Sequence, residues 1–399
     1  MKIKIAVLFG GKSVEHEISI ISAIQAMRHI NREKYDVIPV YITKNNEMYT
    51  GGAVDKIEEY SNLKSLLKKS IRVTFAVEDG RTKLVKCSPK LFENRIVSEI
   101  DLAFPIVHGT NCEDGTLHGY LKIMNLPLVG CDVTASAVGM DKYIMKTVFK
   151  DNGIPVLDCK CFTLKDYETD SEGVARSVED EIGYPVIIKP VNLGSSVGIK
   201  KAVNREELID AIQNAFNFAG KILIERAVEN LKEINCSVLG DCDDAEASEC
   251  EEPVNSDKIL SYEDKYISGS KSGGSKSGGS KGMASLKRKI PADITCEQRE
   301  YIRSLAVKGF KCLNCNGVVR IDFMMDQKTG EIFLNEINTI PGSLSFYLWE
   351  PLGVNYPELL DRMIALALKR NREQSEISYA FDTNVLEGIS FGGSKGSKM

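Results

Sequence analysis

Two stretches decide the fold: Gly317-Val-Val-Arg-Ile-Asp-Phe-Met-Met325 and Glu331-Ile-Phe-Leu-Asn-Glu-Ile-Asn338. Both read as strands, apolar at Val318, Val319, Ile321 and Phe323 in the first and at Ile332, Phe333 and Leu334 in the second. Side chains on a strand alternate between its faces, so Arg320 shares a face with Asp322, and Glu336 shares one with Asn338. Carboxylates directed into apolar surroundings need a partner. Asp322, Glu336 and Asn338 offer only oxygen donors, the set Mg²⁺ prefers while it keeps waters and substrate phosphates. The pair therefore predicts a divalent-metal site that presents phosphate to Arg320.

Working outward, Lys189-Pro-Val-Asn-Leu-Gly-Ser-Ser-Val-Gly198 places a lysine at a strand end before a loop of small residues. Gly194 and Gly198 let backbone N–H groups approach an oxyanion, Ser195 and Ser196 add hydroxyls, and Lys189 adds a fixed charge. Such a loop suits a triphosphate, though alone it is equally an ordinary hairpin. Gly11-Lys-Ser13 resembles the end of a P-loop, but that motif's first glycine falls at Ala6, inside a stretch that reads as strand.

The remaining chain divides into regions. Residues 1–131 alternate strand and helix (Ile3 to Phe9, a glycine turn into a helix bearing Ile18, Ile21 and Ile24, then Tyr35 to Ile42, Leu102 to His108 and Leu126 to Gly130), predicting an open α/β unit with a mostly parallel sheet. Residues 132–224 read as a small mixed α+β domain that opens with a helical stretch containing Asp141, Lys142 and Phe149. Residues 225–380 form a second such domain, ending in a helix from Tyr356 to Lys369. Ser272-Gly-Gly-Ser-Lys276 and its tandem copy to Lys281 cannot bury enough surface to hold a shape. A flexible segment of about fifteen residues reaches roughly 20 Å. The tail 385–399 has similar composition and reads as frayed. Asp241 to Glu252 lacks the ligand spacing of a calcium loop and reads as a solvated hairpin tip.

A net charge of −5 gives no electrostatic case for nucleic acid or an anionic membrane as partner, and no apolar run approaches bilayer length. Eleven scattered cysteines fit reduced thiols, with Cys312-Leu-Asn-Cys315 lacking a second pair at zinc spacing. The chain is expected to be cytoplasmic.

Taken together, Gly10-Gly-Lys-Ser-Val-Glu-His-Glu-Ile-Ser19, His108-Gly-Thr-Asn-Cys-Glu-Asp-Gly-Thr-Leu117, Met140-Asp-Lys142, Ile188-Lys-Pro with Gly194-Ser-Ser-Val-Gly198, Tyr262-Glu-Asp-Lys-Tyr266 and Leu334-Asn-Glu-Ile-Asn-Thr-Ile-Pro-Gly342 resemble D-alanine:D-alanine ligase, an ATP-grasp enzyme, over roughly residues 1 to 370. The resemblance implies a three-domain ATP-grasp fold with a Rossmann-like first domain and a lid at residues 262–290. It further implies that Lys142, Lys189, Ser195, Ser196 and Asn335 meet ATP, that Glu225, Arg226, Ala227 and Val228 form the adenine hinge, and that Glu233 takes the ribose. Asp322, Glu336 and Asn338 would hold two Mg²⁺ (or Mn²⁺) ions, a monovalent cation being an open addition. Glu15 matches the acceptor of the first D-alanine's ammonium, with His108 nearby and Ser195 and Tyr266 completing its network. Lys265 matches the residue reaching the γ-phosphate, Arg320 the one stabilising the transferring charge, and the Gly342 N–H part of an oxyanion site. A homodimer is expected by analogy alone.

That inventory suits amide synthesis: a carboxylate must be phosphorylated before an amine attacks it, and phosphoryl transfer rests on positioning and charge neutralisation. The acyl phosphate must also be shielded from water. Ser343-Leu-Ser-Phe-Tyr-Leu348 departs from the family's threonine-, serine- and histidine-bearing run, so Ser343 and Ser345 both stand as candidates for the second carboxylate. D-alanine leads as second substrate and D-serine, or another acceptor of an ATP-grasp carboxylate-amine ligase, follows. A catalytically dead nucleotide sensor on the same fold is the non-enzyme alternative.

Overall fold

A computed structural model describes residues 2–194, 196–253, 288–378 and 387 of the chain. The expectations for Ser195, Lys265 and Tyr266 lie outside the described residues, as do most of the lid segment and the tail.

The first sheet begins with β1 (Ile3–Gly10), β2 (Tyr35–Ile42) and β3 (Met48–Thr50), continues with β4 (Ile71–Glu78), β5 (Arg81–Lys86) and β6 (Ile96–Glu99), and closes with β7 (Leu102–Ile106). Their spatial order is β6-β5-β4-β3-β2-β1-β7. Ile5 through Phe9 are fully buried, because β1 lies between two parallel neighbours with both faces covered. The expected mostly parallel sheet is corrected here: only β2-β1-β7 run parallel, and β3 to β6 form an antiparallel meander. Glu78 pairs with Arg81, leaving Asp79 and Gly80, both at positive φ, as the two-residue turn that matches strand twist.

The second sheet collects β8 (Cys159–Thr163), β9 (Val186–Pro190), β10 (Lys200–Ala202) and β11 (Lys221–Arg226) in the antiparallel order β10-β9-β11-β8. Val174 and Val178 of the helix Ser171–Glu181 and Leu208 and Ile212 of the helix Arg205–Phe216 bury its Ile188, Ile222 and Ile224. β11 continues through Arg226, past the 224/225 boundary expected from the sequence. The expected helical stretch containing Asp141, Lys142 and Phe149 is two helices, Val133–Met140 and Lys142–Asp151. The break falls at Asp141, whose carboxylate accepts the N–H groups of Tyr143 and Ile144 and so caps the second.

The third sheet comprises β12 (Leu231–Gly240), β13 (Ala245–Pro253), β14 (Arg288–Lys289), β15 (Gly317–Asp326) and β16 (Ile332–Asn338), all antiparallel in the order β14-β13-β12-β15-β16. Phe149, Phe310, Ile321 and Leu334 pack in the core beneath it. The final helix, Tyr356–Ser375, buries Leu359, Leu360, Met363 and Ile364 in a core shared by β1 and by Val318 of β15. That shared core ties the loops of the first sheet to the third sheet.

The reading of Asp241 to Glu252 as a solvated tip holds only for its turn. From Ala245 the chain is strand, and Glu249 and Glu251 are buried because Arg299 and Arg288 neutralise them at 2.7 and 2.9 Å. All eleven cysteines are free. Trp349 is fully buried and donates its indole N–H to Ser237 Oγ. Among the described residues no helix is long and apolar enough to cross a membrane.

His118 is fully buried, and burial pushes its imidazole down to about 4. A group that binds its proton more weakly folded than unfolded destabilises the fold as pH drops from the unfolded value toward the folded one. Between pH 6.5 and 4.5 the chain is expected to lose about 2–3 kcal/mol through this residue. Urea unfolding at both pH values should show a smaller loss in His118→Gln.

Candidate active site

The register of the third sheet builds a polar face. Glu251 of β13 lies opposite Asn235 of β12, Asn235 opposite Asp322 of β15, and Asp322 opposite Glu336 of β16. Directly opposed residues share a face, so these four form a row across the sheet. The adjacent row carries Ser237, Arg320 and Asn338. Arg320 grips Asp322 with a fork, Nε to Oδ1 at 2.6 Å and Nη2 to Oδ2 at 2.7 Å, and Asn338 Nδ2 donates to Asp322 Oδ2 at 3.1 Å. Burial alone would lower the Arg320 pKa, but Asp322 overrides it and holds the guanidinium well above its ordinary value. Burial raises the Asp322 carboxyl, and Glu336 and Glu251 add to that against Arg320.

Two lysines reach this face, Lys142 from the start of the helix Lys142–Asp151 and Lys189 from β9 of the second sheet. Lys142 Nζ donates to Leu193 O at 2.8 Å and lies 3.3 Å from Glu336 Oε2. Lys189 Nζ contacts Glu225 Oε1 at 2.5 Å and donates to Asn335 Oδ1 at 3.1 Å. Lys146, one helical turn beyond Lys142, approaches the other oxygen of Glu225 at 2.7 Å. Burial would raise Glu225, yet the two lysines pull it down to about 2. Val186–Pro190 delivers Lys189 to the mouth of the hairpin, and Gly198 sits at φ +74°, where a Cβ would strike Phe218 and Pro190.

The first sheet supplies the third wall. Glu15, at the start of the helix His16–His29, puts a carboxylate oxygen 3.2 Å from where a Cβ at Gly194 would stand and 2.9 Å from one at Gly109. Glu15, Glu113, Lys142, Gly194, Glu336 and Asn338 line one cavity. Glu113 accepts the N–H groups of Gly109 at 2.6 Å and Ile340 at 3.1 Å, and burial next to Glu15 pushes its carboxyl up to about 8. His108 contacts Ile340 O through Nδ1 at 2.7 Å and Ser22 Oγ through Nε2 at 3.0 Å, and burial lowers its pKa. Both ring nitrogens thus face protein.

Arg226, Ala227, Val228 and Glu233 follow Glu225 from the end of β11 into β12, at the joint of the second and third sheets. Gly342 begins a tight turn in which Ser343, Leu344 and Ser345 have φ of 52°, 53° and 49°. The hydroxyls of Ser343 and Ser345 are buried without a hydrogen-bond partner among the described residues. Ser196, at φ 60°, lies in the hairpin.

The sequence reading missed Glu113, Lys146 and Ser22. Lys146 carried a signal, a second lysine four residues after Lys142 on one helix face. Glu113 stood inside the motif quoted for His108.

As to metal, among the described residues no three His, Cys, Asp or Glu side chains converge as a closed site. Two carboxylates with an amide oxygen on one face are an open, all-oxygen set, which fits an ion that keeps waters and phosphate oxygens. The Arg320 charge now balances Asp322 there.

A hairpin on one antiparallel sheet facing an acidic strand pair on another defines the ATP-grasp class, with a third lobe closing the cleft. Residues 4–131 match the family described as D-ala D-ala ligase N-terminus and residues 148–365 its C-terminus. The D-alanine–D-alanine ligase of Acetivibrio thermocellus is 40% identical over 380 residues, covering 92% of this chain and 96% of that protein. The solved D-alanine-D-alanine ligase of Coxiella burnetii superposes with a TM-score of 0.77 at 30% identity, covering 94% of this chain and 96% of that one. The VanG D-Ala:D-Ser ligase of Enterococcus faecalis gives 0.76 at 31%, covering 92% and 100%. The chain belongs to the D-alanine–D-alanine ligase family.

Proposed function

We propose that the chain joins two D-alanine molecules into D-alanyl-D-alanine at the expense of ATP, through an acyl phosphate, to supply peptidoglycan precursors in the cytoplasm. The observation that carries this is the meeting of three polar walls in one cleft: the Asp322–Glu336 row, the Lys142 and Lys189 pair, and the Glu15 carboxylate with Glu113 beside it. The first wall suits a divalent cation with phosphate, the second suits phosphate, and the third suits an ammonium.

In this reading Asp322, Glu336 and Asn338 hold two Mg²⁺ or Mn²⁺ ions, which when bound neutralise phosphate charge, and a monovalent cation is an optional addition. Lys142, Lys189, Ser196 and Asn335 receive the nucleotide phosphates, residues 225–228 the adenine, and Glu233 the ribose. Ser195, Lys265 and Tyr266 are proposed for the same machinery from sequence alone. Glu15 takes the ammonium of the first D-alanine, and Arg320 stabilises the phosphoryl group in flight. The second D-alanine attacks as the neutral amine while the Gly342 N–H stabilises the oxyanion. Ser343 and Ser345, whose buried hydroxyls have no hydrogen-bond partner among the described residues, are the proposed donors to the second carboxylate. His108 acts in this scheme by holding the loop rather than by touching substrate. A division into lobes at residues 131 and 224–226 and a homodimer complete the proposal.

The test is product mass analysis with ATP, Mg²⁺ and D-alanine, alone and with D-serine. D-alanyl-D-alanine should form with one phosphate released per dipeptide. ATP turnover indifferent to every amino acid would sink this reading in favour of a nucleotide sensor.

A further inference from the structure

We infer that Ser22 is a positioning residue for acyl transfer, its hydroxyl joining His108 to the Ser343 amide and so fixing the chain on either side of Gly342. This rests on the proposed ligase reaction and extends it to a side chain buried in the helix His16–His29.

Three consecutive left-handed residues, none of them glycine, follow Gly342. Each such residue costs roughly 1–2 kcal/mol, so the turn persists only because its surroundings over-determine it. The hydrogen bonds on either side of the turn show what does so. The Ile340 N–H donates to Glu113 Oε1 at 3.1 Å, and its carbonyl lies 2.7 Å from His108 Nδ1. The Ser343 N–H donates to Ser22 Oγ at 3.0 Å, and the same oxygen lies 3.0 Å from His108 Nε2. Gly342 therefore sits between two pinned residues, with Pro341 restricting the peptide between them.

The directions of these bonds follow from their partners. A carbonyl only accepts, so His108 Nδ1 carries the proton and donates to Ile340 O. Nε2 is then bare and accepts the Ser22 O–H, while a lone pair of Ser22 accepts the Ser343 N–H. The chain runs Ser343 N–H to Ser22 O–H to His108 N–H to Ile340 C=O, with every atom satisfied and the imidazole neutral. Removing the hydroxyl, as in alanine, takes away the acceptor of one buried N–H and the donor to one buried ring nitrogen at once.

Ser19 is the internal comparison. It lies on the same helix, equally buried, and its hydroxyl ties Gly10 N–H to Ile106 O, both within the first sheet. Its loss is expected to weaken the fold without touching the Ile340–Ser343 path.

The experiment measures dipeptide formed per phosphate released, together with KM for ATP, in the purified full chain with ATP, Mg²⁺ and D-alanine. Misplacing a catalytic donor by about 1 Å costs up to roughly a hundredfold. Ser22→Ala is expected to lower dipeptide turnover about tenfold or more, with phosphate release falling less, so the ratio drops, while KM for ATP stays within about twofold. Ser22→Thr, which keeps the hydroxyl, should recover the ratio, and Ser19→Ala should lower the melting temperature but keep it. If Ser22→Ala does not fold, Ser22→Cys, close in size and a weak hydrogen-bonder, gives the same readout. An unchanged ratio and turnover, or a proportional loss of both products like that of Ser19→Ala, overturns the role. A wild-type chain that makes no dipeptide fails the ligase reading instead.

Discussion

Arg320→Met is expected to lower the rate of phosphoryl transfer by about a thousandfold, the low end of what an arginine contributes when it neutralises a phosphoryl group in flight. The Arg320 side chain is only 12% exposed and makes both fork bonds to Asp322, so it is rigid before any substrate arrives. Its removal also leaves Asp322 among Glu336 and Glu251 with no nearby counter-charge from its own strand. Burial and those two carboxylates already raise the Asp322 pKa against Arg320's pull. Without that pull the carboxyl holds its proton to higher pH, and the proton competes with a divalent cation. The variant should therefore need more Mg²⁺ at pH 6.5 than at pH 8.5, which the parent should show far less. Arg320→Lys keeps the charge without the fork and is expected to fall between the two. Rapid-quench single turnovers with Mg²⁺ titrations at both pH values test this, and a Met variant with parental phosphoryl transfer would contradict the role.

What could be read in advance follows from the range of the interactions involved. Arg320, Asp322, Glu336 and Asn338 were recognisable because strand periodicity is local, and polar residues every second position in an apolar strand need an inward use. The register that sets Asp322 opposite Glu336 is short-range, since β15 and β16 adjoin in sequence. Glu251 was misjudged because its neutraliser, Arg288, lies beyond a long intervening segment, and an acidic run without visible cations looks solvated. Glu113 and Ser22 were invisible as site residues for a stronger version of the same reason. Their partners at Ile340 and Ser343 are 227 and 321 positions away, and no period in the sequence reports such a contact. The antiparallel meander of the first sheet was different: the Asp79-Gly80 turn between alternating apolar strands is a local signal that stood in plain view.

Glu225→Gln is expected to destabilise the fold by about 3 kcal/mol near neutral pH and to weaken ATP binding with it. The carboxylate is 1% exposed and joins Lys146 at 2.7 Å to Lys189 at 2.5 Å, so it is the only described acidic partner of two lysines that are themselves nearly sealed from water. A buried ionic cluster of this kind is weak support for stability against an apolar replacement, because desolvation consumes most of the attraction. Its use lies in fixing Lys189 Nζ at the end of β9, where the glycine-serine hairpin begins. Breaking one member is another matter, since two buried ammonium groups then repel without compensation. The pH dependence has a defined sign. Glu225 titrates near 2 in the fold against 4.5 unfolded, so its contribution is complete above pH 4.5 and disappears as pH falls toward 2. The difference in unfolding free energy between parent and variant should be largest at pH 7 and smaller by more than 1 kcal/mol, roughly, at pH 3.5. Urea unfolding at the two pH values measures it, and a difference that stays flat across that window would show that the carboxylate is not held ionised by Lys146 and Lys189.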